Sequence, residues 1–104
     1  MFGKGNSKGG ATAAKRIIFE KLADDDERAA QLVEELKVSN PLCINFELLN
    51  AMEKNKMLAF LSGAAFALEG EVVLIKNNVY LFAKKVDFLD GSLKEFIERT
   101  KETN

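Results

Sequence analysis

Residues 41–83, PLCINFELLNAMEKNKMLAFLSGAAFALEGEVVLIKNNVYLFA, carry the pattern that decides the fold. Leu42, Ile44, Phe46 and Leu48 alternate with Cys43, Asn45 and Glu47, the period of two that marks a strand. Pro41 stands just before it, where a preceding helix must already have ended. Asn50 with Glu53 three residues on has the spacing of a capping box. It opens a helix that should run to about Leu68, with Gly70 as its left-handed stop. EVVLIK (71–76) and VYLFA (79–83) then flank Asn77-Asn78. Asparagine tolerates positive φ, so this reads as a hairpin with a two-residue turn.

Working outward, RIIFEKL (16–22) is β-branched and aromatic and predicts a strand. Asp24-Asp25-Asp26-Glu27 suits a helix start, with Asp24 in a capping box or Asp25 as the cap. Ala29, Leu32, Val33 and Leu36 then form one apolar stripe. Beyond the hairpin, residues 84–89 predict a short edge strand and Asp90-Gly91 a turn. Ser92 and Glu95 box a last helix whose Leu93, Phe96, Ile97 and Thr100 share a face. The order is β-α-β-α-β-β-(β)-α. Helical crossovers between the early strands demand a shared sheet, so the expected fold is a compact two-layer α/β sandwich with a mixed sheet of four to five strands.

The central helix is unusual because it is apolar nearly all round from residue 57 to residue 68. Leu58, Leu61, Ala65 and Leu68 supply a stripe for the core, while Ala59, Gly63 and Ala67 form a line of small residues elsewhere on the cylinder. Small residues in line admit another backbone closely. The preferred reading is a homodimer packed through Ala59, Gly63, Phe66 and Ala67. The plainer one is a central helix covered only by its own sheet.

Composition narrows the function. The 104 residues hold 15 Lys+Arg, 16 Asp+Glu, no His and one Cys, with a formal charge of −1. That balance gives no basic field for nucleic acid. Without His, the usual zinc sites and Ser-His or Cys-His catalysis are out of reach. Cys43 has no basic neighbour in sequence to activate it, and a lone cysteine suits a reducing compartment. No phosphate loop follows a strand, no apolar run reaches membrane-span length, and the expectation is a protein that is not an enzyme and needs no cofactor or metal. The charge is uneven: the first 16 residues carry four basic groups and no acid, and the rest 11 basic and 16 acidic. Residues 1–14, rich in glycine and lysine, predict a flexible arm, and 15–104 a single domain. Met1-Phe2 among lysines offers weak contact with an anionic membrane, but an inert tail is the plainer reading.

PLCINFELLN, then FLSGAAFALEGEVVLIKNNVYLFA, resembles the C-terminal domain of the SepF family of bacterial cell-division proteins, and RIIFEKLADDDERAAQLVEELK is similar to that family's first strand and helix. The resemblance implies a cytoplasmic scaffold at the division septum that forms homodimers and higher polymers, binds the C-terminal tail peptide of FtsZ, and links filaments to the membrane. It places the tail near the hairpin and the dimer interface. An aromatic residue in the second hairpin strand matches Tyr80. A basic residue found in some members falls at Leu74, so that contact does not carry over. Lys76 is the nearby substitute, and Phe82 completes the partner-binding set Tyr80, Lys76, Leu74 and Phe82. The family's N-terminal amphipathic helix has no counterpart in MFGKGNSKGG, which leaves membrane contact open. Two other readings stand beside this one. A regulatory interaction domain resembling anti-sigma-factor antagonists would need Ser92 as its phosphorylatable residue. A purely structural dimer would need no peptide partner.

Overall fold

A computed structural model describes residues 10–102. Strand β1 (Ile18–Lys21) leads to helix α1 (Asp26–Lys37), then β2 (Leu42–Asn45), α2 (Ala51–Ala67), β3 (Gly70–Lys76), β4 (Val79–Lys84) and α3 (Ser92–Glu102). The four strands lie in the order β1-β2-β4-β3, with β1 parallel to β2 and the other two pairings antiparallel. The expected α/β class and mixed sheet are therefore present, with four strands.

Side chains alternate across the sheet, and each face has its own core. On one face Leu42 and Ile44 of β2 and Phe82 of β4 pack with Ala29, Leu32 and Leu36 of α1 and with Met57, Leu61 and Ala65 of α2. On the other, Cys43, Ile75, Leu81 and Ala83 meet Leu93 of α3, with Phe96 and Ile97 packed alongside. The third helix thus adds a partial third layer to the two expected, because its apolar stripe covers sheet surface that α1 and α2 leave open.

Local chemistry sets the boundaries. Asp25, rather than Asp24, caps α1, its side chain accepting from the Arg28 N–H at 3.0 Å. At α2 both bonds of the capping box form: the Glu53 N–H donates to Asn50 Oδ1 at 2.8 Å and the Asn50 N–H to Glu53 Oε1 at 3.1 Å. The left-handed residue after α2 is Glu69, with φ 58°, and Gly70 belongs to β3. Gly70 is needed for close approach instead, since a Cβ there would stand 2.5 Å from the Ala83 carbonyl oxygen and 2.9 Å from that of Ala65. Asn77 takes φ 41° in the hairpin turn, a left-handed conformation that asparagine tolerates, while Asn78 keeps negative φ.

The expected fifth strand is a 3-10 turn, Lys85–Phe88. Its cause lies far away in sequence. A second 3-10 turn, Ala14–Arg16, precedes β1, and Arg16 reaches Asp87 Oδ1 at 2.8 Å with both side chains buried. The same guanidinium donates to the carbonyls of Ser39 at 2.8 Å and Ala11 at 2.7 Å. Such a pair fixes conformation more than it stabilises, because both charges leave water. Burial pushes the Asp87 carboxyl above its ordinary range against the opposing pull of Arg16. Residues 1–9, most of the expected arm, lie outside the described residues. Ala13 is fully buried, with its N–H on Asp90 Oδ2 at 2.9 Å.

At α3 the expected Ser92 box is replaced by an aspartate cap. Asp90 Oδ1 accepts from the Ser92 N–H at 2.9 Å and from its hydroxyl at 2.7 Å, while Ser92 Oγ accepts from the Ala14 N–H at 2.9 Å.

Candidate functional site

Among the described residues, two of the surfaces that leave apolar groups in water hold the residues singled out by the sequence. The first lies on the hairpin. Tyr80 of β4 is half-buried, and its cross-strand partner on β3 is Leu74, which is 52% exposed. Paired residues of an antiparallel ladder share a face, so the two form a continuous strip on the face that α2 covers. The ring of Tyr80 is held from below. It meets Phe46 edge-on with centroids 5.6 Å apart, and Phe46 meets Phe82 at 6.4 Å. Phe82 itself is fully buried. It is the base of this aromatic stack and has no surface to offer a partner.

Lys76 is not brought to Tyr80. The register shifts between Leu74 and Lys76, so that Lys76 lies opposite Val79, whose side chain packs on the other face of the sheet. The cation beside Tyr80 comes instead from α2. Lys54 Nζ stands 5.7 Å from the ring centroid and donates to Asn78 Oδ1 at 2.8 Å. Sequence spacing alone gave no signal for it, since the contact joins residues 24 positions apart across the helix and the hairpin turn.

The second surface is the outer side of α2. At 3.6 residues per turn, Met52, Ala59 and Phe66 repeat every seven positions, and Gly63 and Ala67 fall beside them. All five are exposed, Met52 at 81% and Phe66 at 63%. The side opposite, Met57, Leu61 and Ala65, is buried. A Cβ built on Gly63 meets nothing within 4 Å, so among the described residues no neighbour requires glycine there.

Other candidates have ordinary explanations. Burial pushes the Cys43 thiol up to about 11, which keeps it protonated and unreactive. The Ser92 hydroxyl is engaged with Asp90 and Ala14, as described above. Among the described residues no three His, Cys, Asp or Glu side chains gather to hold a metal ion, and no helix is long and apolar enough to cross a membrane.

Comparison with known proteins matches this scaffold to one family. Residues 21–87 fit the family model described as cell division protein SepF. The chain is 28% identical over 91 residues to the cell division protein SepF of Carboxydothermus hydrogenoformans, covering 88% of this chain and 65% of that relative. It is 31% identical over 84 residues to the SepF of Alkaliphilus metalliredigens, covering 81% of this chain and 55% of the relative. For the SepF of Caldanaerobacter subterraneus subsp. tengcongensis the identity is 30% over 69 residues, 66% of this chain and 52% of the relative. The chain thus spans between half and two thirds of the length of these curated relatives. The matched region runs from the end of β1 through the 3-10 turn after β4, so it includes both exposed surfaces, and the chain belongs to the SepF family.

Proposed function

We propose that this chain is a cell-division scaffold that pairs with a second copy through the outer face of α2 and binds the C-terminal tail of FtsZ along the Leu74–Tyr80 strip. Its place of action is then the cytoplasmic side of the division septum. The observation that carries the reading is α2 itself. A helix that buries one apolar side and holds Met52, Ala59, Gly63, Phe66 and Ala67 in water on the other has a surface suited to a partner. Water is excluded from such a face when two copies cross there, and Gly63 lets the backbones approach. In the strip, Tyr80 is a rigid aromatic anchor with an aliphatic neighbour, the pairing that tends to dominate peptide recognition. Its ring needs little ordering on binding because Phe46 already fixes its orientation. The regulatory-domain reading has no comparable support, since Ser92 is committed to the cap of α3.

The tail-binding half is tested by titrating an FtsZ C-terminal tail peptide against the unaltered chain and Tyr80→Ala. Truncating an anchor of this kind weakens binding by about tenfold or more. Equal affinity of the two proteins removes Tyr80 from the site. Tyr80 is only half-buried, so thermal melting of the variant establishes that the fold survives.

A further inference from the structure

Lys54 differs from the other cations that are held at more than one point. Arg16 and Arg28 are each answered by a carboxylate, and Lys56, two residues on, bridges Asp24 and Asp26 at 2.7 and 3.0 Å. Lys54 is half-buried and has no carboxylate within 4 Å among the described residues. Its ammonium carries three N–H groups, of which one is used, on Asn78 Oδ1 at 2.8 Å. The backbone that carries that amide is itself anchored, because the Asn78 main-chain carbonyl accepts the Phe46 N–H at 2.8 Å. Helix, turn and β4 therefore converge to hold one positive charge 5.7 Å from the Tyr80 ring centroid. The charge is positioned before any ligand arrives, and it borders the exposed apolar strip. Lys76, on β3 of the hairpin, lies after the register shift opposite Val79, which packs on the other face.

We propose that Lys54 is the charged subsite of the Tyr80 strip, taking a carboxylate of an extended peptide whose apolar side chains lie over Tyr80 and Leu74. This rests on the strip being the peptide site and adds the chemical class of what it selects: an acidic and apolar segment rather than a basic or neutral one. An ammonium that is already ordered and partly desolvated gives more to an incoming carboxylate than a freely moving surface lysine does. The carboxylate has two possible sources, an Asp or Glu side chain or the peptide's own C-terminus.

The experiment is a titration of the FtsZ tail peptide against the unaltered chain, Lys54→Met and Tyr80→Ala. It is run with three peptides: the parent, a C-terminally amidated form, and a form with Asp and Glu replaced by Asn and Gln. Methionine keeps most of the aliphatic stem, and thermal melting checks that the fold is retained. The expected result is that Lys54→Met weakens the parent peptide about tenfold and leaves the peptide lacking the recognised carboxylate unaffected. Whichever of the two modified peptides loses the sensitivity to Lys54 identifies the source. Equal affinity of Lys54→Met and the unaltered chain for the parent, with Tyr80→Ala still weakened, overturns the role of Lys54 and leaves the strip standing. The same loss for all three peptides also overturns it. No binding of the parent peptide by the unaltered chain overturns the subsite and the strip together.

Discussion

The two sides of α2 are made of similar residues and have opposite fates. Met57, Leu61 and Ala65 are buried against the sheet, while Met52, Ala59, Phe66 and Ala67 face water. In α3 the division follows chemistry: Leu93, Phe96 and Ile97 turn inward, and Lys94, Glu95, Glu98 and Arg99 are exposed. The contrast teaches that amphipathic pattern accounts for α3 completely and for α2 only by half. The inner side of α2 is explained by this chain's own core, and its outer side stays apolar in water, which is what the proposed pairing of two copies would account for.

Substitutions on the two sides should therefore behave differently. Leu61→Ala removes a fully buried side chain and should cost about 2–5 kcal/mol in urea unfolding. Phe66→Ala should change the unfolding of the isolated monomer by no more than about 0.5 kcal/mol, yet weaken self-association. If both changes destabilise the monomer equally, the distinction between the sides is lost. The two glycines sharpen it. Gly70→Ala forces a Cβ onto the Ala83 and Ala65 carbonyls and should cost about 1–3 kcal/mol. Gly63→Ala meets nothing and should stabilise the monomer by about 1 kcal/mol, because alanine is the better helix former.

The smallest effect belongs to the α3 layer. Hydrogen bonds from the hydroxyl and backbone N–H of Ser92 hold the Asp90 carboxyl below its ordinary range. A carboxyl lowered in the folded state contributes stability that is present above its unfolded pKa, about 4, and is lost as pH falls through the lowered folded value. Asp90→Ala should cost about 1 kcal/mol at neutral pH, as loss of a cap does, and should flatten the fall in stability below pH 4. An unchanged acid limb in urea titrations would show that Asp90 does not supply that slope.

Much of the fold was legible because its signals are local. The Asn50–Glu53 box, the Asn77-Asn78 turn and the stripe Ala29, Leu32, Leu36 each depend on residues a few positions apart. The misplaced features depend on distant contacts. Residues 85–88 coil rather than extend because Asp87 is drawn to Arg16, 71 positions away. The end of α2 put Glu69, not Gly70, in the left-handed conformation, since Gly70 is needed where β3 passes close to the carbonyls of Ala83 in β4 and Ala65 in α2, a closeness only the assembled fold reveals. Of the candidate site, Tyr80, Leu74 and the small-residue side of α2 could be read from pattern and family likeness. Phe82 could not be recognised as buried support, nor Lys54 as the neighbouring cation, without the register of the hairpin and the placement of α2 over it.

The most direct test of the outer face is sedimentation velocity of the unaltered chain and Gly63→Lys across a range of concentrations, with circular dichroism of both. The open space around Gly63 lets lysine fit the monomer, and its charge is costly only where another copy covers it. A dimer for the unaltered chain and a folded monomer for Gly63→Lys is the predicted result. A Gly63→Lys protein that remains dimeric, or an unaltered chain that is monomeric throughout, would contradict the pairing of two copies through α2.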